Sequence, residues 1–242
     1  MTHLSVVVPL FNEERCIEEN FGILRDYLET LGREWEVILV DDGSTDRTPS
    51  IVRCILGGEP RVRAVFGRRN RGKGHAVRSG ILSARGKFVL FMDADLAVPV
   101  AFLQNCLAEL ERGVSVVIGS RHLPGSSFRI REGFVRQFLG EIFRRFATAV
   151  LGLRVSDITC GLKGFEREAA RRIFSRSRIE RWGYDAEILF LARKLGLGIR
   201  EVPVDWYHSF DSKVTIGSAA VRTLVEIMQI HCNYLFNNRY DL

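Results

Sequence analysis

Apolar positions along this chain fall in short dense runs that alternate with segments of helical spacing. Leu4–Pro9 is apolar except for Ser5, which predicts a buried strand. Glu13–Leu31 carries Ile17, Phe21, Leu24 and Leu28 on one face, which predicts an amphipathic helix. Trp35–Val40 reads as a second strand, closed by Asp41-Asp42-Gly43-Ser44. Asp46-Arg47-Thr48-Pro49 then opens a helix with Asp46 as its cap. The alternation continues through strand Val62–Phe66, helix Gly74–Ala84, strand Lys87–Met92, helix Pro99–Arg112 and strand Val114–Ile118. Strands that alternate with helices imply βαβ units, hence an α/β fold with a mostly parallel sheet.

Beyond about Gly119 the pattern changes, and arginines become dense while long helical segments dominate. Arg131–Leu151 places Phe134, Val135, Phe138, Leu139, Ile142, Phe143, Phe146 and Val150 on an apolar face, with Arg136, Glu141, Arg144 and Arg145 opposite. Two readings stand: a helix packed on the sheet, or one lying in a membrane interface. Ser218–Tyr234 is a second segment of this kind, through Val221, Leu224, Val225, Ile227 and Met228. No linker or repeat divides the chain, so 1–242 reads as one domain, a core with a basic and largely helical elaboration.

Composition narrows the class. The 242 residues are 46% hydrophobic and 26% charged, an ordinary globular balance. The five cysteines are odd in number, scattered and without a Cys-x-x-Cys pair, which predicts neither a disulfide framework nor a zinc site. No leader sequence is expected, because Leu10 runs straight into Asn12-Glu13-Glu14. No apolar stretch reaches the ~18 residues of a membrane span. The net charge of +6 favours anionic partners.

Candidate chemistry gathers where strands end. Phe88–Met92 runs directly into Asp93-Ala94-Asp95. In open α/β sheets, ligands bind at the carboxyl ends of strands. Two hard oxygen donors there suit Mg²⁺ or Mn²⁺ carrying a phosphate-bearing substrate. Pro9-Leu10-Phe11-Asn12-Glu13 follows the first strand, Asp41–Asp46 the second, and Asn70-Arg71-Gly72-Lys73-Gly74 the third. The last of these opens a helix, whose N-terminal amides and neighbouring lysine favour anions. A parallel sheet puts all these loops on one side. The glycine loop lacks the Walker A pattern, and no Gly-x-Gly-x-x-Gly follows the first strand, which argues against a dinucleotide oxidoreductase.

Ser5–Glu13, Val40–Asp46 and Asp93–Asp95 together resemble the family 2 glycosyltransferases with the GT-A fold. Asn70–Gly74, Ile118-Gly119-Ser120-Arg121 and Asp157–Phe165 narrow the resemblance to the dolichyl-phosphate glucose and mannose synthases and their bacterial polyprenyl-phosphate relatives. Arg181–Glu187 and Ser212-Lys213-Val214 extend it over nearly the whole chain, and the glucose branch fits best. Mannose-type synthases carry Gln two residues after the second Asp; here that position is Ala97.

The resemblance implies a GT-A, Rossmann-like sheet flanked by helices, with amphipathic interface helices toward the C-terminus. Residues 1–120 would hold a nucleotide sugar and 121–242 would face acceptor and membrane. It also implies that Pro9, Phe11 and Glu13 hold base and ribose beside Asp42, and that Asp93, Ala94 and Lys73 contact the nucleotide sugar. Asp95, with Asp93, would bind the metal. Arg121, Arg129, Arg131 and Lys213 would serve the acceptor phosphate, although Arg129 and Arg131 also read as surface arginines. Asp185 has three readings: contact with sugar hydroxyls, orientation of a cationic acceptor contact, or a helix N-cap. Asp93, Asp95, Arg121 and Asp185 form the expected catalytic set. His75 and His208 read as structural or exposed.

The implied reaction is inverting transfer of a hexose, with UDP-glucose the expected donor, to a polyprenyl or dolichyl phosphate at the cytoplasmic side of a membrane. The protein would sit there peripherally. A GDP-mannose donor is the alternative within the class. A saccharide acceptor would need a general base, for which Asp185 or Glu187 stands as candidate. A nucleotide-sugar-binding protein without activity is the non-enzyme alternative. No aromatic and basic platform for nucleic acid is evident.

Overall fold

A computed structural model describes residues 2–126, 145–207, 216–236 and 240. Seven strands form one sheet: β1 (Leu4–Leu10), β2 (Trp35–Asp41), β3 (Val62–Phe66), β4 (Phe88–Phe91), β5 (Val116–Ser120), β6 (Lys163–Glu166) and β7 (Ile199–Pro203). Their order across the sheet is β3-β2-β1-β4-β6-β5-β7. β3, β2, β1 and β4 run parallel, as do β5 and β7, while β6 is antiparallel to both its neighbours. The expected mostly parallel α/β sheet is present.

Helices cover both faces, which explains why the strands read as apolar runs rather than alternations. On one face lie α1 (Ile17–Thr30), α2 (Thr48–Gly58) and α4 (Phe102–Glu111), burying Phe21, Leu24, Val52, Leu103 and Leu107 against Val6, Val8, Val37 and Leu90. On the other lie α3 (Lys73–Ser83), α5 (145–151), α6 (Arg167–Phe174), α7 (Tyr184–Lys194) and α8 (Ile216–Leu235). Their residues Val77, Leu151, Phe174, Leu189 and Ile230 join Val7, Ile38, Val40 and Phe91 in a second core.

Several elements differ from the sequence reading. α1 starts at Ile17 rather than Glu13, because residues 13–17 form a turn in which the Glu13 carbonyl accepts from the Cys16 and Ile17 amides. α2 starts at Thr48, and Asp46 serves it by accepting from the Thr48 amide at 2.9 Å, although Arg47 holds the cap position. The largest difference lies in the second half of the chain, which supplies two strands as well as helices. β6 reads Lys-Gly-Phe-Glu and β7 Ile-Arg-Glu-Val-Pro, both too short and too polar to announce burial.

Of the expected helix Arg131–Leu151, positions through Arg144 lie outside the described residues; Ala147 and Leu151 pack into the core, with Phe146 and Val150 half-buried beside them. The second expected helix is present as α8. It buries Ile227 and Ile230, yet leaves Val225, Met228 and Leu235 exposed. Among the described residues no helix is long and apolar enough to cross a membrane.

Candidate active site

The loops after β1, β2, β3 and β4 meet at one edge of the sheet, as parallel strands require. The first two are latched together. Asn12, in the left-handed region at φ 56, accepts from the Thr45 amide at 2.8 Å through its side chain, and its own amide donates to Ser44 Oγ at 2.8 Å. Thr48 Oγ1 accepts from the Glu13 amide at 2.8 Å. These bonds fix the Pro9–Glu13 segment against the start of α2, with Pro9, Phe11 and Glu13 all half-buried at the rim.

Asp42, just past β2, binds the loop that follows β3. Its buried carboxylate accepts from the Arg71 amide at 3.0 Å and the Gly72 amide at 2.6 Å, so it anchors the glycine loop. Gly72 sits at φ 122, where an added Cβ would come within 2.5 Å of the Glu180 carbonyl, so no other residue fits there. The anchored loop delivers Lys73, the first residue of α3. Its Nζ lies 2.5 Å from Asp93 Oδ1. Burial works against the Lys73 ammonium, but the charges of Asp93, Asp185 and Asp95 outweigh it and raise its pKa.

Asp93 and Asp95 stand just past β4. Asn20 holds the turn between them by donating to the Ala94 carbonyl at 2.7 Å, and Asp95 Oδ1 accepts from the Ala97 amide at 3.1 Å. Asp95 is exposed at the rim, with protein atoms packed close beside its carboxyl. The desolvation this brings, and then the Asp93 charge, raise its pKa above the ordinary aspartate value. The pair is short of positive charge even with Lys73 alongside. Among the described residues no group of three or more His, Cys, Asp or Glu side chains forms a ready metal cage. Two carboxylates with an unmet negative charge nevertheless fit a hard divalent ion that takes its remaining ligands from water and substrate oxygens.

Asp185 lies in the first turn of α7, but Gly183 holds the N-cap position and the Asp185 side chain points elsewhere. The N-cap reading is therefore corrected. Asp185 is buried with Oδ1 2.5 Å from Nζ of Lys163, a fully buried lysine of β6 that also donates to the Cys160 carbonyl at 2.7 Å. Burial pushes the Asp185 carboxyl up, against the pull of Lys163 and Lys73. Sequence reading missed Lys163. Its one signal is a lysine set between Leu162 and Phe165 inside a segment already singled out.

Glu187, considered as a base for a saccharide acceptor, is structural. Its carboxylate accepts from the Arg178 and Ile179 amides at 2.9 Å and from the Tyr240 hydroxyl at 2.8 Å.

Farther along the edge, Arg121 follows β5. Asp157 grips it three times, from Nε at 2.7 Å, Nη2 at 3.0 Å and the backbone amide at 3.0 Å, while Nη2 also donates to Thr159 Oγ1 at 2.9 Å. Burial would raise the Asp157 carboxyl, but the Arg121 hydrogen bonds and charge hold it below the ordinary value. Residues 157–163 thus join the two parts of the site. Asp157 and Thr159 hold Arg121, Gly161 lies so close to Asp93 that a Cβ would fall on its carboxylate, and Lys163 holds Asp185. The remaining expected acceptor residues, Arg129, Arg131 and Lys213, lie outside the described residues, as does His208.

A Rossmann-like sheet with carboxylates and a glycine loop along one edge is the architecture of a GT-A glycosyltransferase. Residues 5–174 match the family described as Glycosyl transferase family 2, and the chain belongs to that family. Among its relatives, a dolichyl-phosphate beta-glucosyltransferase of Dictyostelium discoideum is 35% identical over 96% of this chain and 75% of its own length. The enzymes of that name from Mus musculus and Saccharomyces cerevisiae are 38% and 33% identical, each over 96% of this chain and about three quarters of their own length (76% and 75%). The fold matches a glucosyl-3-phosphoglycerate synthase from Mycobacterium tuberculosis, solved with Mn²⁺, UDP-glucose and phosphoglyceric acid. That match has a TM-score of 0.72 at 24% identity and covers 96% of this chain and 80% of the other.

Proposed function

We propose that this chain transfers glucose from UDP-glucose to a polyprenyl phosphate, giving a β-linked lipid phosphosugar. The observation that carries the reading is the 157–163 segment, which holds Arg121 through Asp157 and Thr159 and packs Gly161 against Asp93. The relatives, 33% to 38% identical and named for dolichyl phosphate and glucose, support the choice of sugar and acceptor.

Pro9, Phe11 and Glu13 bind the base and ribose, with the proline and aromatic packing on the base and the carboxylate accepting from ribose hydroxyls. Asp95, helped by Asp93, would hold Mg²⁺ or Mn²⁺, which would neutralise the charge of the diphosphate leaving group. Lys73 shares its charge between Asp93 and the donor phosphates. Arg121 presents a planar fork to the acceptor phosphate. A phosphate monoester with a second pKa near 6 is largely dianionic at neutral pH, so it attacks without a general base. One of its oxygens bonds to the anomeric carbon as the bond from that carbon to the diphosphate oxygen breaks. The electron pair leaves with the nucleoside diphosphate, and the configuration inverts. Asp185, with Lys163 behind it, orients the sugar side of the pocket.

The protein works at the cytoplasmic face of a membrane as a peripheral protein. The exposed apolar residues Val225, Met228, Leu235 and Phe236, and the net charge of +6, support that placement. The test is to offer radiolabelled UDP-glucose and GDP-mannose separately, with a polyprenyl phosphate and Mg²⁺. Label from UDP-glucose is expected in the organic phase. Label from GDP-mannose alone would replace the donor, and no organic label from either would refute the acceptor.

A further inference from the structure

A cleft of about 400 Å³ opens between the glycine loop, the turn before α7 and α8. Its volume falls within the ~300–1,000 Å³ range of small-molecule sites. Arg69, Arg71, Arg178 and Arg181 line it together with Glu180 and Glu226. Both carboxylates are already engaged. Glu180 is paired with Arg71, and Glu226 accepts from the Gly183 amide at 2.7 Å. Arg178 spends its guanidinium on the Ser175 and Ser177 carbonyls, at 2.9 and 3.1 Å. Arg69 and Arg181 are exposed and make no hydrogen bond or ion pair among the described residues. Four guanidinium groups therefore line one concavity against two carboxylates, whose charges Arg71 and Arg181 already help to balance, and the cleft keeps an excess of positive charge.

The cleft adjoins the glycine loop but is lined by none of Asp93, Asp95 and Arg121. Of its lining, Arg69–Arg71 follow β3, while Arg121 follows β5, with β2, β1, β4 and β6 between the two strands. Lys73 turns away from it toward Asp93.

We propose that this cleft is a second anion site, which takes a compact, multiply charged phosphate group through Arg69, Arg178 and Arg181. Guanidinium forks suit phosphate oxygens, and several from different segments discriminate for a multiply charged group over a single carboxylate. The site also touches the donor loop. Arg71 lies in its wall, the Arg71 and Gly72 amides bond to Asp42, and Lys73 follows directly. An anion that draws Arg71 from Glu180 acts on the loop that presents Lys73 to Asp93. The phosphate group has two possible sources, a soluble oligophosphate or a lipid headgroup, and the exposed Val225 and Met228 on the neighbouring face of α8 keep the second in play.

The probes are inorganic triphosphate, titrated calorimetrically into metal-free protein, and vesicles of phosphatidylcholine with and without phosphatidic acid. Metal-free conditions leave the Asp93–Asp95 pair negative and unattractive to anions. Wild-type protein should bind one of the two phosphate probes, and Arg69→Ala/Arg181→Ala should bind it at least tenfold more weakly. The double variant should keep its melting temperature and its affinity for UDP with Mn²⁺. Loss with triphosphate identifies a soluble ligand, and loss with the phosphatidic acid vesicles alone identifies a headgroup. Arg121→Ala should leave this binding intact. The proposal fails if neither probe binds, if the double variant binds as well as wild type, or if Arg121→Ala abolishes binding. None of these results depends on which sugar or acceptor the enzyme uses.

Discussion

The two ends of the functional edge solve opposite electrostatic problems. At β4, Asp93 and Asp95 crowd negative charge together; Lys73 balances part of it, and the Asp95 carboxyl is raised. At β5, Arg121 is held by Asp157 from both its guanidinium and its backbone, and the Asp157 carboxyl is lowered. The first end lacks a cation that it must recruit. The second carries its own counter-ion and must share a cation already engaged. On the proposed reading, the difference teaches that substrate charge is met by a deficit at one end and by a pre-oriented fork at the other.

The largest expected effect comes from removing the deficit. Asp95→Asn should cut turnover by about two orders of magnitude or more, the scale of a lost electrostatic contact in a transition state. It should leave the thermal transition in place, because Asp95 reaches solvent and accepts its hydrogen bond from the local Ala97 amide. The same deficit has a pH signature. Raised above the ordinary aspartate value of ~3.9, Asp95 takes a proton before most aspartates do as pH falls. Mn²⁺ affinity, measured by calorimetry with UDP present, should therefore decline on acidification from a higher pH than an ordinary aspartate would give. Near-normal turnover in chelator-treated protein would break this half of the comparison.

Next in size is the buried pair that joins the two ends. Lys163→Met leaves Asp185 buried without its partner, and losses of about 3–5 kcal/mol are typical of that change. Asp185→Leu added to Lys163→Met should restore most of the melting temperature but not activity, because an apolar pair replaces a buried ion pair at little cost in stability. If the double variant regained full turnover, Asp185 would have no part in the reaction.

Arg121→Lys should act on the acceptor and spare the donor. The charge stays but the fork is lost, so the apparent KM for polyprenyl phosphate should rise about tenfold, the equivalent of ~1.4 kcal/mol. Nucleotide affinity should change little, and calorimetry showing its collapse would reassign Arg121 to the donor. Its counter-ion gives a stability test with a defined sign. Because Asp157 is lowered in the folded state, its contribution is present above ~3.9 and is lost as pH falls through its depressed value. Asp157→Asn should melt lower than wild type at neutral pH, with the gap closing in acid. The smallest effect is expected from Glu180→Gln. It cuts the Arg71–Glu180 pair, whose side chains are 45% and 44% exposed, and surface pairs of this kind contribute ~0–1 kcal/mol.

The two ends also differ in how far the sequence revealed them. The donor end was legible because parallel strands put their carboxyl ends on one side, so Phe11, Asp42, Lys73 and Asp93 follow from counting strand ends. Even there the detail needed coordinates. The bonds from the Arg71 and Gly72 amides to Asp42, which anchor the glycine loop, have no signal in the sequence. The other end was hidden by β6, an antiparallel strand of four residues inserted between β4 and β5 from much later in the chain. Only that insertion sets Lys163 under Asp185 and Asp157 against Arg121, and no local periodicity encodes it.

The central claim is that these two ends act on one donor and one lipid phosphate in a single inverting displacement. The product of UDP-glucose and polyprenyl phosphate, extracted into organic solvent and examined by proton and phosphorus NMR, tests it most directly. The account predicts one glucosyl phosphodiester with the β configuration, formed by wild type and not by Asp95→Asn. An α-linked product, or glucose found only in water-soluble material, would contradict it.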